Sequence, residues 1–520
     1  MDSFIQRFGQ SILGVVHGLD RLRLRGTKRL LANVGGMFNF LWQEKVLLKD
    51  FKAYANQVTA EVRQAAEAVA TSQGRPVEYM ASSGIRKEDL IKSWAKRDGI
   101  QEGLIGVLKA VEPCWSVSVH RNRARKKLEL QGGSRKCLHY YHYFQDPEVG
   151  LVYVRLQTWF PFSVHVGLNG REWLARQMDQ AGIRYQRRDN CFVWIADWQR
   201  AQELLQEQLS MNWPKLLDRL TAQANPALER VLAKHPVPYY WSADESEWAS
   251  DIAFASRQAL AELAPRFYQH GLLQRGSDDT MRFLGRKVPA QGGVHGNFAG
   301  EVVTDLKNRP EGMRLKHRLN RNWIKMYDKQ GSVLRVETVI NDARDMKAFR
   351  AKEGDDSGEL HLQRLRKGIA DLHARTELSQ AANERYLESL ATIEDKTPLG
   401  ELAAPVCRRV RWHGRPARAL NPLATEDAQL LAAVNRGEFA INGFRNRDLR
   451  SLLYATTDDA QQQRRQAAAI TRKLRLLRAH GLIRKIPKTH RYQINAQGQE
   501  TINALLAARA ANTATLSKAA

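Results

Sequence analysis

Leu474-Arg475-Leu476-Leu477-Arg478-Ala479-His480-Gly481-Leu482-Ile483-Arg484-Lys485 passes from a helical period to a strand within twelve residues. Ile470, Leu474 and Leu477 repeat at the spacing that buries one stripe of a helix. Gly481 supplies the residue that tolerates a left-handed backbone and ends that helix. Two short strands follow, over 482–486 and 491–494, joined by the turn Pro487-Lys488-Thr489-His490. Working outward, the pattern predicts a helix over 464–480, a second over 447–454 capped by Asn446, a first over 426–434, and a last one from near Gln499. Residues 425–510 therefore form one unit with the order helix, helix, helix, hairpin, helix.

Charge singles out the same segment. Between Arg464 and Arg491 there are ten Lys and Arg residues and no acid. Arg465, Thr471, Arg472 and Arg475 fall away from the apolar stripe, where a helix presents groups to base edges in a groove. Arg478, Arg484, Lys485, Lys488 and Arg491 continue the cationic surface onto the hairpin, where phosphates would lie. The passage 474–485 resembles the recognition-helix-to-wing segment of MarR and ArsR type regulators. That resemblance implies a winged helix-turn-helix that docks on DNA; a winged helix that binds protein is the competing reading.

The whole chain of 520 residues carries 81 Lys and Arg against 55 Asp and Glu, a formal charge of +26. Such an excess points to a polyanionic partner, because each neutralised phosphate releases counterions. DNA is the expected partner and RNA an alternative, and a homo-oligomer stays open. The length predicts three or four domains. The fold class reads as multidomain α+β. Residues 1–110 read as a helical N-terminal region and 111–235 as an antiparallel-sheet α+β domain. Residues 236–397 read as an α+β region with a hairpin over 323–340 and a long helix over 360–393, and 398–424 as a linker. Within the first region, Asp20-Arg21-Leu22-Arg23-Leu24-Arg25-Gly26 alternates, so as a strand it would separate arginines from leucines. Residues 236–241 open the third region on prolines and aromatics, and a helical stretch is expected after them.

A second constellation lies in the 323–340 hairpin: Lys325-Met326-Tyr327-Asp328-Lys329, then Leu334-Arg335-Val336-Glu337. This resembles the tyrosine strand of rolling-circle replication initiators of plasmids and phages, in which Tyr-x-Lys precedes Arg-x-Glu. The resemblance implies Tyr327 as the nucleophile on a DNA phosphodiester, Lys329 as a phosphate contact and Arg335 as a stabiliser. It also implies Glu337 and Asp328 as ligands of Mg2+ or Mn2+. With a three-residue loop, Gln330-Gly331-Ser332, Tyr327 faces Arg335 and Lys325 faces Glu337; a two-residue loop would pair Tyr327 with Leu334. A phenol titrating near pH ~10 needs cations or a metal to act as a nucleophile. The same residues also suit a hairpin with a salt-bridged polar face.

The histidine pair of those initiators has no counterpart. His139 and His142 are three apart on a strand and point to opposite faces, and His165 stands alone. Arg314, Lys316, His317, Arg318 and Arg321 suit phosphate clamps. Asp244, Glu245, Glu247, Asp251, Asp278 and Asp279 hold enough carboxylate for metal binding but form no EF-hand or other spaced loop, so they read as a solvated acidic face. The aromatics of 138–162 read as a sheet core, with base stacking as the alternative. The glycine-rich loop 290–300 lacks the order of a nucleotide-binding loop, so no nucleotide or organic cofactor is expected. Four scattered cysteines fit a reducing compartment. With no stretch of membrane-spanning length, the expected location is cytoplasmic and nucleoid-associated. Together these readings describe a DNA-binding protein of a bacterial mobile element, involved in replication initiation if Tyr327 is a nicking residue. A non-catalytic MarR-like transcriptional regulator and an RNA-binding protein are the alternatives.

Overall fold

A computed structural model describes residues 1–510 except 82–83, 274–279, 281–283, 285–301, 345, 352–358, 392, 394–398, 437–438, 440–442 and 488. The chain is α+β. Its helices are α1 (Asp2–Phe8), α2 (Val34–Gln43), α3 (Phe51–Ser72), α4 (Lys87–Arg97), α5 (Gly170–Gln180), α6 (Trp198–Glu207), α7 (Trp213–Ala224), α8 (Ala227–Val231), α9 (Arg257–Leu273) and α10 (Leu372–Ala391) in the body. The C-terminal part adds α11 (Leu399–Ala403), α12 (Thr425–Val434), α13 (Asn446–Leu453), α14 (Ala460–Ala479) and α15 (Ala496–Ala510). The predicted glycine-rich loop 290–300, Asp278, Asp279 and Lys488 lie outside the described residues.

Among the described residues, eleven strands make one sheet. They are β1 (Ile12–Thr27), β2 (Val77–Tyr79), β3 (Gly103–Asn122), β4 (Lys127–Asp146), β5 (Gly150–Gln157) and β6 (Val164–Asn169), and, beyond the small hairpin β7 (Tyr185–Arg188)–β8 (Cys191–Ile195), β9 (Tyr240–Phe254), β10 (Val302–Arg309), β11 (Gly312–Leu319), β12 (Asn322–Lys329) and β13 (Val333–Ile340). Their order is β10-β11-β12-β13-β9-β1-β6-β5-β4-β3-β2, antiparallel throughout except for β2 beside β3. The sheet therefore crosses the boundaries expected at 110/111 and 235/236, because β1, from the supposedly helical region, lies at its middle. The small hairpins β14 (Lys347–Ala351)–β15 (Leu360–Arg364), β16 (Val410–Trp412)–β17 (Arg415–Ala417) and β18 (Ile483–Lys485)–β19 (Tyr492–Ile494) stand apart from it.

β1 escapes a pattern reading because two glycines interrupt its first half. They are there for packing. A Cβ on Gly14 would come within 2.2 Å of the Trp198 ring, and one on Gly18 within 2.5 Å of Leu205, so α6 lies close against the strand. In the second half the alternation holds: Leu22 and Leu24 are buried, while Arg21 and Arg25 are exposed.

The two halves of the sheet bury separate cores. β4, β5 and β6 send Tyr140, Phe144, Val152, Val154, Val164 and Val166 into a core shared with α2, α3 and α7. β9, β11, β12 and β13 send Ile252, Leu315, Ile324, Met326, Leu334 and Val336 against α1, α9 and α10. The expected long helix over 360–393 is strand β15, a short 3-10 turn and then α10; Gly368 precedes that turn, whose Asp371 holds Arg366 at 2.9 Å. The stretch after Trp241 expected as helix continues β9, with α9 only beyond it.

The C-terminal elements share a third core, with Leu430, Leu449, Ile470, Leu474, Leu477 and Ile502 all buried. Gly481 ends α14 with φ +69°. Val406 and Leu420, from the stretch expected to be a linker, are buried in this same core. That stretch is structured: it holds α11 and the hairpin β16–β17. No helix among the described residues is long and apolar enough to cross a membrane.

Candidate functional site

Two places in the molecule collect the expected site residues. The first is the polar face of the sheet where β12, β13, β9 and β1 run side by side. The three-residue loop sets the register: Tyr327 lies opposite Arg335 and Lys325 opposite Glu337. On the next strand Asp251 lies opposite Arg335. β1 then bulges between Leu19 and Arg21, with Arg21 opposite Glu247. A bulge turns an additional side chain toward one face, and here the unpaired residue is Asp20. The result brings Asp20, Glu247 and Glu337 together, with ligand oxygens within 4.8 Å of one another and every carboxylate buried.

Each carboxylate has a cation beside it. Lys325 Nζ donates to Glu337 and lies 3.4 Å from Glu247 Oε1. Arg335 Nη1 lies 3.1 Å from Asp20 Oδ2, while its Nε and Nη2 donate to Asp251 at 2.5 and 2.8 Å. Fully buried Arg171 completes the network on Asp251 at 2.9 Å. The loop between β7 and β8 closes over it: Asn190 donates to Asp20 at 2.7 Å, and its carbonyl accepts from Arg335 at 2.6 Å. Burial works against ionised Asp20 and Asp251, yet the neighbouring guanidiniums of Arg335 and Arg171 hold both below the usual carboxylate range. Glu247 goes the other way. Burial, then the charge of Glu337, pushes it up to about 8.

Tyr327 and Asp328 do not meet the requirements of a nicking centre. Tyr327 is 8% exposed, and burial followed by the Glu337 charge raises its phenol well above the ordinary value, Lys325 notwithstanding. The phenolate is thus disfavoured where the nucleophile reading needs it. Asp328 sits one residue on and so points to the opposite face, opposite Leu334 and beside Tyr268, whose hydroxyl accepts from the Asp328 backbone N–H at 2.7 Å. It cannot share an ion with Glu337. Lys329 stays near the cluster, 3.9 Å from Asp189. For Mg2+ or Mn2+ the carboxylates are close enough, but the Lys325 ammonium already lies between Glu247 and Glu337. A divalent ion would have to displace a buried cation, so the residues do not fit such an ion as they stand.

Neighbouring clusters resolve largely into packing, while Arg318 and Arg321 stay exposed. The acids of β9 are not a solvated face, since Glu247 and Asp251 are buried and Glu245 and Asp244 pair with Arg23 and Arg25 at 3.4 and 2.5 Å. Arg314 pairs with Asp305 at 3.2 Å, and Lys316 lies 4.2 Å from the Trp323 ring centre. His317 faces the core beside Thr304 and Tyr386. His142 is buried with Nε2 3.1 Å from Ala66 O, while His139 accepts from Arg155 on the other face. Tyr140, Tyr143, Phe144 and Phe160 are core residues.

The second place is the outer face of α14. Arg464, Arg465, Thr471, Arg472 and Arg475 are exposed on it, on the side away from buried Ile470, Leu474 and Leu477. Thr471 also accepts from Asn446 at 3.0 Å, which ties α13 to α14. Arg478 is half-buried, 4.7 Å from the Trp412 ring centre. Lys473 turns aside to pair with Glu426. On the following hairpin Arg484 and Lys485 are exposed, Arg484 reaching Gln493 at 3.3 Å. Arg491 departs from expectation: it is buried and donates to Gly443 O at 2.7 Å, so it braces the hairpin instead of reaching outward.

Neither protein-family models, curated proteins nor solved structures yield a match to this chain. Its function rests on its own geometry.

What pattern reading misses is Asp20, Glu247, Asp251 and Arg171. For Glu247 and Asp251 the sequence signal is a run of acids, Ser242 to Asp251, poor in strand-forming residues, which makes sense as a strand only once β1 and β13 bring arginines alongside; Asp20 and Arg171 carry no such signal.

Proposed function

We propose that this chain binds duplex DNA through its C-terminal unit, a winged helix in which α14 enters the major groove and β18–β19 lies along a flanking phosphate strand. The observation that carries this reading is the outer face of α14. Arg464, Arg465, Arg472 and Arg475 are exposed there with no carboxylate partner among the described residues. A helix that presents guanidiniums and a hydroxyl along one solvent face suits base edges and phosphates together. The buried stripe and Gly481 hold that face rigid, which limits the ordering cost of binding.

The sheet body acts in this reading as a non-catalytic scaffold. Its carboxylate cluster is neutralised from within by Lys325, Arg335 and Arg171, an arrangement better suited to holding four strands together than to turning over phosphodiesters. A regulator or accessory DNA-binding factor is accordingly favoured over a nicking enzyme.

Titrating the full chain with duplex DNA across a range of salt tests the reading. Affinity should fall steeply with salt, and the double variant R465A/R472A should lessen the slope of log K on log salt by about two, at roughly 0.9 for each phosphate no longer neutralised. A wild-type slope near zero overturns DNA binding. A preference for structured RNA over duplex at one salt concentration transfers the function to RNA.

A further inference from the structure

The stretch that sequence alone marks as a linker carries more charge than a linker needs. From 402 to 425 it contains five arginines and no acid. Four of them, Arg408, Arg409, Arg411 and Arg415, are exposed, whereas Arg418 is occupied by a two-bond fork to Asp427 at 2.7 and 2.6 Å.

We propose that the hairpin β16–β17, with the arginines leading into it, is a second phosphate-gripping arm that widens the DNA footprint of the C-terminal unit. The inference rests on α14 being the groove-facing helix.

The arm is built, not loose. Its two turn residues, His413 and Gly414, have φ +47° and +73°, the mirror-image turn whose twist matches a two-stranded ribbon. Trp412 turns toward α14, where the guanidinium of Arg478 lies 4.7 Å from its ring centre and that of Arg475 5.8 Å. The ring quadrupole attracts both cations to its face. A ring nitrogen of His480, at the end of α14, lies 2.8 Å from the carbonyl of Arg418. Val406 before the hairpin and Leu420 after it are both buried in the core that holds α14. The hairpin is thus fixed beside the C-terminal half of the helix.

Position then dictates the partner. A helix lying in the major groove has a phosphate strand on either side of it. An element bordering that helix, sharing Arg475 with its outer face and offering four further exposed guanidiniums, would meet one of those strands. Phosphates suit it better than an acidic protein surface, because these exposed cations, with Arg411 and Arg415 on opposite faces of the ribbon, border the helix that carries Arg475 and Arg478. A rigid ribbon also gives up little ordering entropy on contact.

The test uses the full chain, a short duplex and fluorescence anisotropy over a range of salt. R408A/R409A/R411A/R415A should make the slope of log K on log salt shallower by about two to four, at roughly 0.9 per phosphate, with affinity falling least at high salt. The corresponding lysine variant should keep the wild-type slope. A change of less than about one unit in the alanine variant, while wild type retains its steep slope, overturns the arm and leaves the reading of α14 intact. A lysine variant that behaves like the alanine variant overturns it as well, since charge would then not be the cause. A flat wild-type slope instead removes the reading of α14 on which the arm depends.

Discussion

Arg335 of β13 and Asp251 of β9 lie opposite each other on adjacent strands and close a fork of two hydrogen bonds, with both side chains about 1% exposed. Arg171 and Asp20 extend the fork into a buried network that links β1, β9, β13 and the start of α5. Such a network confers little net stability when intact, but breaking it strands charge in the interior. Asp251→Ala leaves two buried guanidiniums without their shared carboxylate. Urea unfolding should show a loss of about 3–5 kcal/mol. The exposed pair Arg200–Glu203 provides the contrast, and Arg200→Ala should leave unfolding nearly unchanged. Equal losses from the two substitutions would contradict the assignment of Asp251 as the hub.

Acid should destabilise the body through its histidines before carboxylates of ordinary acidity titrate. Burial holds His142 down at about 4, and burial aided by Arg155 does the same to His139. His142 has its Nε2 on the Ala66 carbonyl, and its Nδ1 has no acceptor among the described residues, so a second proton there has nothing to bond. With unfolded histidine near pH ~6.5, the unfolded chain takes up protons first as pH falls. Stability is therefore intact above about 6.5 and declines until about 4, by at most about 3 kcal/mol per histidine. Glu247, pushed up to about 8, acts in the opposite sense, and stability lost through it grows as pH rises from ~4.5 to about 8. Unfolding measured over this range should show a shallower acid slope in His142→Gln and a gain near pH ~8 in Glu247→Gln. An acid slope unchanged in the histidine variant would refute the first assignment.

Tyr327 offers the sharpest test of whether the body is an enzyme. Its hydroxyl is buried, kept neutral and engaged with Lys325. Tyr327→Phe should leave the salt slope of DNA binding unchanged and cost about 0.5–1.5 kcal/mol of stability by removing one hydrogen bond. It should also leave unchanged any cleavage of supercoiled DNA seen with Mg2+ or Mn2+. A cleavage activity that vanishes in this variant alone would restore the tyrosine mechanism.

The parts of this fold that are legible in the sequence are those whose determinants are local. The hairpin expected over 323–340 alternates and turns at Gln330-Gly331-Ser332, so its strands follow from local residues, while the choice between its two registers is made by the three-residue loop of the structure. The helices and hairpin after 425 follow from the Ile470, Leu474 and Leu477 stripe and from Gly481. The first half of β1 is not legible, because Gly14 and Gly18 are explained only by Trp198 and Leu205, nearly two hundred residues away. β9 is hidden by its acids, which look solvent-bound until Arg171 and Arg335 arrive from remote elements. The carboxylate cluster is hidden with it: Glu337 is readable from its hairpin, but Asp20 reaches the site through a bulge that no spacing rule specifies. The hairpin 410–417 reads as linker because prolines and arginines conceal a turn made from His413-Gly414.

Arg491 offers a way to separate folding from the proposed DNA binding of the C-terminal unit. By sequence it belongs with the phosphate-facing cations of the hairpin, yet its side chain is buried and one guanidinium nitrogen donates to the carbonyl of Gly443. Gly443 has φ +60°, and its backbone comes so close to that of Tyr492 that an added Cβ would sit 2.1 Å from the Tyr492 carbonyl oxygen. Phe444 and Tyr492 exchange backbone hydrogen bonds of 2.8 Å beside it. Arg491 therefore fastens β19 to the chain entering α13, at a point where no side chain other than glycine fits. Arg491→Ala should lower the stability of the C-terminal unit by about 1–3 kcal/mol, the cost of leaving a buried acceptor unmet. The salt slope of DNA binding should stay at its wild-type value under conditions where the variant is folded, because every phosphate-facing cation is still in place. Arg472→Ala should do the reverse, with unfolding unchanged and the slope reduced by about one. Should Arg491→Ala reduce the slope as Arg472→Ala does, the hairpin's outward cations would have to include Arg491, and the bracing bond to Gly443 would not persist in the bound protein.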